Sequence, residues 1–304
     1  MTTDVLTTDA ATLAQRWLDA DAPAAPESYL QAGRRRFLHN RVGLASLTVL
    51  GLLIVTAVAA PVLTTYDPNI GVPADRLLPI GAAGHPLGTD EQGRDMLTRL
   101  FYGGRLSLIA GLTPVLIATV IGTFLGSIAG YLGGWVAAIV MRAMDMFYAF
   151  PAVLLAIAIS ASLGPGLVNV IISMTIIYIA PLARVAEAAT RKIVTAEFIE
   201  AARLTGAGTP RIIVTQVLAN IFSPIFVYAS GLVGLSIVIA ASLSFLGLGV
   251  KPPDPEWGFM LNSLRGTIYV NPWVAALPGF FIFATSISFN MLADALRDSL
   301  DVKD

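Results

Sequence analysis

Apolar residues along this chain are gathered into long stretches instead of being scattered among polar ones. Five stretches contain no charged residue: 42–63, 106–141, 146–183, 212–250 and 266–293. Each exceeds the roughly 18 residues that a helix needs to cross a bilayer, and none shows the alternation expected of a membrane barrel strand. Because hydrocarbon offers no partner to backbone amides, such segments must be helical. The pattern therefore predicts an all-α integral membrane protein.

Helix-breaking residues divide the longer stretches. Gly133 and Gly134 interrupt the second stretch, and Gly164-Pro165-Gly166 interrupts the third; glycine tolerates a turn there, and proline lacks an amide proton. The helices between breaks give about six predicted transmembrane spans, at 41–62, 105–131, 136–161, 166–185, 221–247 and 273–293. The predicted organisation is an N-terminal tail, 1–33, and a transmembrane domain, 34–304, with long loops at 63–104 and 186–220.

The distribution of lysine and arginine predicts the orientation, because short cytoplasmic loops of membrane proteins are enriched in both. If both termini are cytoplasmic, thirteen of the nineteen Lys and Arg residues lie inside, including the cluster Arg34-Arg35-Arg36 before the first span. The sequence therefore predicts a multi-pass protein with cytoplasmic termini, an outer loop at 63–104 and a cytoplasmic loop at 186–220.

Composition argues against several classes of function. The chain is 56% hydrophobic and 13% charged, with a net charge of -1 and no cysteine. This balance offers no basic surface for nucleic acid, and the absence of cysteine excludes thiolate metal sites and thiol nucleophiles. The two histidines, His39 and His85, lack further ligands at metal-binding spacing. We therefore expect no catalytic residue, no metal ion and no nucleic-acid partner.

If the chain is a transporter, its residues also constrain the energy source. A chain that hydrolyses ATP needs a glycine-rich phosphate loop ending in Gly-Lys-Ser or Gly-Lys-Thr, but none of the three lysines here follows a glycine. Ion coupling normally requires ionisable residues in mid-membrane, and Asp145 and Asp294 lie near the cytoplasmic ends of the predicted spans. Energy from a separate ATPase is therefore favoured. An ion-coupled secondary transporter and a membrane scaffold without transport activity are the alternatives.

The cytoplasmic loop contains Glu200-Ala201-Ala202-Arg203, followed by Gly206. This run resembles the EAA loop of bacterial ABC import permeases, in which a short coupling helix docks into a groove on the nucleotide-binding subunit. The resemblance implies that these five residues form the ATPase-coupling site of this chain. Small alanines permit close approach, and glycine allows a change of direction between two short helices. The sequence departs from the family pattern at Ala219, where proline is usual.

Further stretches resemble a narrower family, the second permease subunit of dipeptide and oligopeptide importers and of related nickel or glutathione importers. The stretches read LGTDEQGRD at 87–95, YGGRLSL at 102–108, LSFLGLG at 243–249, PPDPEWG at 252–258 and NMLADALRDSLD at 290–301. The resemblance covers about residues 34–302 and implies the type I ABC importer permease fold and a place in the bacterial plasma membrane.

The same resemblance implies a set of partners. They are a homologous second permease subunit, two nucleotide-binding ATPase subunits or domains, an extracytoplasmic substrate-binding protein and membrane lipid. This chain would carry no cofactor, since ATP and Mg would bind to the partner ATPase. Its substrate would be a di- or oligopeptide, with nickel or glutathione as alternatives. A few polar side chains within the spans are candidates for lining the pathway: Asn169, Ser173, Tyr178 and Ser236.

Overall fold

The computed structural model of the chain describes residues 29–300, and describes side chains for residues 33–299. Most of the predicted N-terminal tail, 1–33, and the last four positions of the predicted transmembrane domain, 301–304, therefore lie outside the described residues.

The regular secondary structure of the described chain is helical. Its helices are α1 (Tyr29–His39), α2 (Arg41–Val58), α3 (Ala60–Leu63), α4 (Met96–Leu132), α5 (Gly134–Tyr148), α6 (Ala152–Leu163), α7 (Leu167–Ile193), α8 (Glu197–Leu204), α9 (Thr209–Ile212), α10 (Leu218–Phe245), α11 (Trp257–Ser263) and α12 (Pro272–Leu300). A π-helical turn, Ile213–Val217, joins α9 to α10. Residues 29–300 contain only two isolated β-bridges and no strand. The predicted all-α class is confirmed.

Five helical segments within residues 29–300 are long and apolar enough to cross a membrane. They are α2, α4, α7, α12 and the continuous run from α9 through α10, and the pair α5 and α6 makes a sixth if it crosses as one bent span. Large apolar side chains such as Leu52, Val120 and Phe280 are exposed on these helices. Exposed apolar faces of this extent need lipid or another membrane chain beside them. The protein is a multi-pass membrane protein.

The segment predicted as one span, 136–161, consists of two helices. The axes of α5 and α6 differ in direction by 85°. Pro151 stands at the break, immediately before α6. Proline disfavours the helical conformation of the residue before it, here Phe150, and has no amide proton to continue the hydrogen bonds of α5.

Helix α4 begins nine residues before the predicted span at 105–131. Asp95 caps it, since the Asp95 carboxylate accepts a hydrogen bond from the backbone amide of Thr98 at 2.8 Å. The segment expected to end the outer loop therefore forms the first turns of one continuous helix of 37 residues. Helix α7 likewise continues beyond position 185, to Ile193.

The long connecting segments lie together at one end of the helix bundle, called here the loop end. Segments 64–95 and 246–271 meet there, for example where Thr267 donates a hydrogen bond to Glu91 at 3.0 Å. Helices α8 and α9 lie at the opposite end, called here the α8 end, where α4 finishes and α10 begins.

The most extensive helix packing in the described chain joins α4 to α7. Gly122, Gly126 and Gly130, spaced four residues apart on α4, form the contact. A Cβ atom at Gly126 would lie 2.2 Å from the carbonyl oxygen of Ala183, and one at Gly130 would lie 2.7 Å from Thr190 Cβ. The three glycines, called here the glycine spine, let the two backbones approach closely, as small residues do between membrane helices.

Candidate functional site

Helix α8 contains four of the five predicted coupling residues and presents them outward. Ile199, fully buried, anchors the helix, while Ala202 packs partly against the core. Glu200, Ala201 and Arg203 lie on the exposed side. The adjacent Leu204 is 89% exposed. The helix therefore has one anchored face and one face that residues 33–299 leave uncovered.

Gly206, the fifth predicted coupling residue, ends α8 in a Schellman motif. Its backbone has a φ of 79°, in the left-handed region. The amide of Gly206 donates to the carbonyl of Arg203 at 3.0 Å, and the amide of Ala207 donates to the carbonyl of Ala202 at 3.1 Å. Both bonds are those expected of this motif, in which glycine is preferred because it has no Cβ atom. The glycine thus sets the change of direction between α8 and α9.

Arg203 ties α8 to the end of α4. Its Nε atom donates a hydrogen bond to the Tyr131 hydroxyl at 3.2 Å, and its guanidinium lies 5.1 Å from the centre of the Tyr131 ring. Glu200 has no such side-chain partner among the described residues. Arg203 therefore connects α8 to α4, whereas no described side chain engages Glu200.

An open groove of about 630 Å³ lies between α8 and the start of α9. Ala201, Gly206 and Arg211 line it together with Phe198 and Gln216. Beyond α9 the chain enters α10 through the π-helical turn, and Ala219, the position noted above as a departure from the EAA pattern, lies inside helix α10.

The four candidate pathway residues are engaged in different parts of the bundle. The Asn169 amide donates to the carbonyls of Leu163 and Gly164, at 3.0 and 2.9 Å, and so closes the turn between α6 and α7. Ser173 is fully buried and accepts a hydrogen bond from Ser160 at 2.8 Å.

The other two candidates, Tyr178 and Ser236, face the core between α7 and α10. Their hydroxyl groups are buried and lie close to each other. None of the four candidates lines any of the three cavities of 620 to 650 Å³. The pathway assignment stays a prediction.

A second polar cavity, not expected from the sequence, lies towards the α8 end between α7, α10 and α12. Its volume is about 650 Å³, and its charged lining residues are Lys192, Asp294 and Arg297. On the opposite face of α10, an apolar groove of about 620 Å³ is lined by residues such as Phe222 and Phe226. One face of α10 is therefore suited to water and the other to lipid.

The loop end is built around buried charges. Asp90 accepts a hydrogen bond from Arg94 Nε at 2.7 Å and lies 3.4 Å from Arg99 Nε, and all three side chains are at most 6% exposed. Asp95 pairs with His85 at 2.9 Å. The stretch at 87–95 thus supplies an ion-pair cluster that holds the long loop onto α4.

Glu256, in the same region, caps α11. Its carboxylate accepts hydrogen bonds from the amides of Gly258 and Phe259 at 2.9 Å and from the Ser107 hydroxyl at 3.0 Å. Burial raises the pKa of Glu256, and these hydrogen bonds oppose that shift. The indole of Trp257 donates to the carbonyl of Leu100 at 2.9 Å. The stretch at 252–258 therefore locks α11 against α4.

Comparison with known proteins gives consistent matches over most of the chain. A family model described as a binding-protein-dependent transport system inner membrane component matches residues 122–303, and one described as the N-terminal TM domain of oligopeptide transport permease C matches residues 28–79. The chain is 44% identical over 269 residues to a glutathione transport system permease protein of Pectobacterium atrosepticum, covering 88% of this chain and 89% of the relative. It is 42% identical over 272 residues to a di/tripeptide transport system permease protein of Pseudomonas aeruginosa, covering 88% and 90%.

Proposed function

Because the chain belongs to the family of binding-protein-dependent transport system inner membrane components, we propose that it is a permease subunit of an ATP-binding-cassette importer for di- or oligopeptides. The family has the type I ABC importer permease fold, and its members are transport components. The two relatives named above carry glutathione and di/tripeptides by their names. Glutathione is itself a tripeptide, so both names point to short peptides as the class of substrate.

In the proposed complex this chain forms half of the translocation pathway and a homologous second permease forms the other half. Two ATPase subunits or domains bind ATP and Mg, and an extracytoplasmic binding protein delivers the peptide. The α8 end faces the cytoplasm and the loop end faces outward in the bacterial plasma membrane, with both termini cytoplasmic. The excess of Lys and Arg on the α8 side supports this orientation.

The observation that carries the proposal is the geometry of α8. Helix α8 is short and is anchored by the buried Ile199. Glu200, Ala201 and Leu204 are exposed, and the turn at Gly206 follows the end of the helix. Such a face fits a groove on an ATPase subunit. Closure of the ATPase pair on ATP would displace α8 and, through Arg203 and Tyr131, the end of α4, and so shift the bundle between two access states.

Reconstitution of the four-component system in proteoliposomes tests this function. We expect uptake of a labelled tripeptide that requires ATP on the ATPase side and the binding protein on the other side. Ionophores that collapse proton and sodium gradients should leave uptake unchanged. Uptake that persists without the ATPase subunits, or that stops when the gradients collapse, would favour the ion-coupled alternative.

Substitution on α8 tests the coupling site within that system. Ala201→Trp places a bulky side chain on the proposed docking face, and Gly206→Pro imposes a φ near −65° where the chain needs 79°. Both variants should insert into the membrane, hydrolyse ATP and fail to couple hydrolysis to uptake. Ala276→Trp is the matched control, because Ala276 is also exposed but lies near the loop end, on α12. Unchanged uptake in both α8 variants would remove the coupling assignment.

A further inference from the structure

The polar cavity between α7, α10 and α12 combines charges of both signs with an apolar wall. Lys192 comes from α7, and Asp294 and Arg297 come from α12, where residues three apart share a face. The uncharged lining includes Ser223, Val227 and other side chains of α10. The cavity volume of about 650 Å³ lies within the range of sites for small molecules, roughly 300 to 1,000 Å³.

The three charged residues of this cavity have no side-chain partner in the described chain, whereas their charged neighbours are paired. Arg184 pairs with Asp145, and Arg191 pairs with Glu187 one turn away on α7. No salt bridge or side-chain hydrogen bond within residues 33–299 engages Lys192, Asp294 or Arg297, although Asp294 and Arg297 are close enough along α12 to meet. Within residues 33–299, the cavity therefore has two cationic groups and one carboxylate without a side-chain partner.

We propose that this cavity binds the zwitterionic ends of a short peptide. The proposal rests on the proposed function and adds to it a site for the substrate on this chain. The peptide carboxylate accepts hydrogen bonds from Lys192 and Arg297, and the peptide ammonium donates to Asp294, in charge-assisted bonds that are stronger than neutral ones. The apolar wall of α10 accommodates the peptide side chains. Selection thus acts on the termini, which all peptides share, and leaves the side chains free to vary.

The opposite face of α10 supports this assignment by contrast. The groove there is lined by Phe222, Phe226 and Ser230 and contains no charged residue. A zwitterion entering it would lose its hydration without gaining a partner, which is unfavourable. Only the face with Lys192, Asp294 and Arg297 offers complementary charges.

Protection of a single cysteine from labelling tests the site. The chain has no cysteine of its own, so Ser223→Cys gives a nearly isosteric reporter on the cavity wall. Asp298→Cys is the matched control, because Asp298 is exposed to water at the same end of the bundle but does not line the cavity. The whole complex in nanodiscs, without nucleotide, is treated with a charged maleimide while alanylphenylalanine is added at rising concentration. Labelling of this subunit is read by mass spectrometry.

We expect the dipeptide to slow labelling at Ser223→Cys several-fold and to leave labelling at Asp298→Cys unchanged. N-acetyl-alanylphenylalanine amide, which lacks both charges, should protect little. Asp294→Asn or the pair Lys192→Gln and Arg297→Gln should raise the half-protecting concentration of the dipeptide about three- to tenfold, the loss expected for a charge-assisted bond at a partly exposed site.

Three results would overturn the proposal: no labelling at Ser223→Cys, equal protection by the free and blocked dipeptides, or no effect of the charge substitutions. The first would mean that the second permease covers the cavity. Each of these results is separate from failure of the proposed function, which is measured by ATP-dependent uptake in the unsubstituted complex. If uptake occurs and protection does not, only the site is wrong.

Discussion

At the loop end, Asp90, Arg94 and Arg99 are buried and bonded to one another, whereas at the α8 end Glu200 and Lys192 lie exposed with no side-chain partner among the described residues. Both ends are polar, so polarity alone does not distinguish them. The difference lies in whether the polar groups are satisfied within the chain. A satisfied polar cluster fixes a structure, and exposed groups without internal partners are available to other molecules. The loop end is therefore a fixed platform, and the α8 end is a surface for contacts.

The largest expected effect comes from removing the central charge of the platform. Asp90→Ala leaves Arg94 and Arg99 buried without their shared carboxylate and removes hydrogen bonds to two backbone amides. Breaking a buried ion pair typically costs about 3–5 kcal/mol. We expect a large fall in the apparent Tm of the protein in detergent, followed by tryptophan fluorescence. Asp298→Ala, an exposed carboxylate on α12 at the α8 end, should change the Tm little. Equal effects at the two ends would contradict the comparison.

Two glycines with nearly the same backbone conformation also distinguish the loop end from the α8 end. Gly93 has a φ of 74° and Gly206 a φ of 79°. A Cβ at Gly93 would lie 1.9 Å from the carbonyl oxygen of Val72, whereas one at Gly206 would meet nothing within 4 Å. Gly206→Ala should therefore lower the free energy of unfolding by about 1 kcal/mol, because alanine is disfavoured in the left-handed region. Gly93→Ala should lower it by clearly more. The two Tm values, measured side by side, test this order. A larger loss at Gly206 would show that α8 is held more tightly than its exposure indicates.

The pH dependence of stability gives a smaller effect at the loop end. Burial raises the pKa of Glu256 above its usual value of 4.5, so the folded protein keeps this proton to a higher pH than the unfolded chain does. The resulting stabilisation is complete below pH 4.5 and is lost as the pH rises through the folded-state pKa. Glu256→Gln has no carboxyl proton to lose over this pH range, and its amide oxygen still accepts hydrogen bonds from the α11 amides. We expect the Tm of the variant, relative to the unsubstituted protein, to rise by a few °C as the pH increases from 4.5. A constant difference would mean that Glu256 is ionised throughout.

The smallest effect on stability should come from substitution at the α8 end. Glu200→Gln removes an exposed charge without a side-chain partner in the described chain, so we expect the free energy of unfolding to change by less than about 0.5 kcal/mol. Peptide uptake by the reconstituted complex should nevertheless fall, because a charge facing the ATPase is lost. Unfolding in detergent and uptake in proteoliposomes separate the two effects. A fall in stability with normal uptake would reverse the interpretation of this end.

The helical organisation of the bundle was predictable because bilayer thickness and backbone hydrogen bonding leave few options for apolar stretches. The all-α class follows from that constraint, and the position of the Gly206 turn follows from a local motif with a known physical basis. The bend at Pro151 had a local signal, a proline within an apolar stretch, but its angle depends on how α5 and α6 each pack against α7.

Long-range pairing was not predictable from a single sequence. Lys192 and Asp294 border one cavity although about a hundred positions separate them.

Other differences from the prediction have local causes. Helix α4 starts early because Asp95 is a strong capping residue. Asn169 illustrates a further difficulty. A polar side chain in an apolar span suggests a residue that lines a pathway, but the amide of Asn169 closes a turn. The identity of a polar residue does not reveal which partner satisfies it.

The glycine spine gives the α8 end of the bundle a tight joint. Where Gly122, Gly126 and Gly130 bring the backbones of α4 and α7 together, neither helix can slide along the other without a steric clash. The joint covers only the last turns of α4, and Pro114 lies in the same helix nearer to the loop end. Proline inside a helix favours a kink. If the α8 end moves in the proposed transport cycle, α4 and α7 should therefore move together there, and bending of α4 should occur near Pro114.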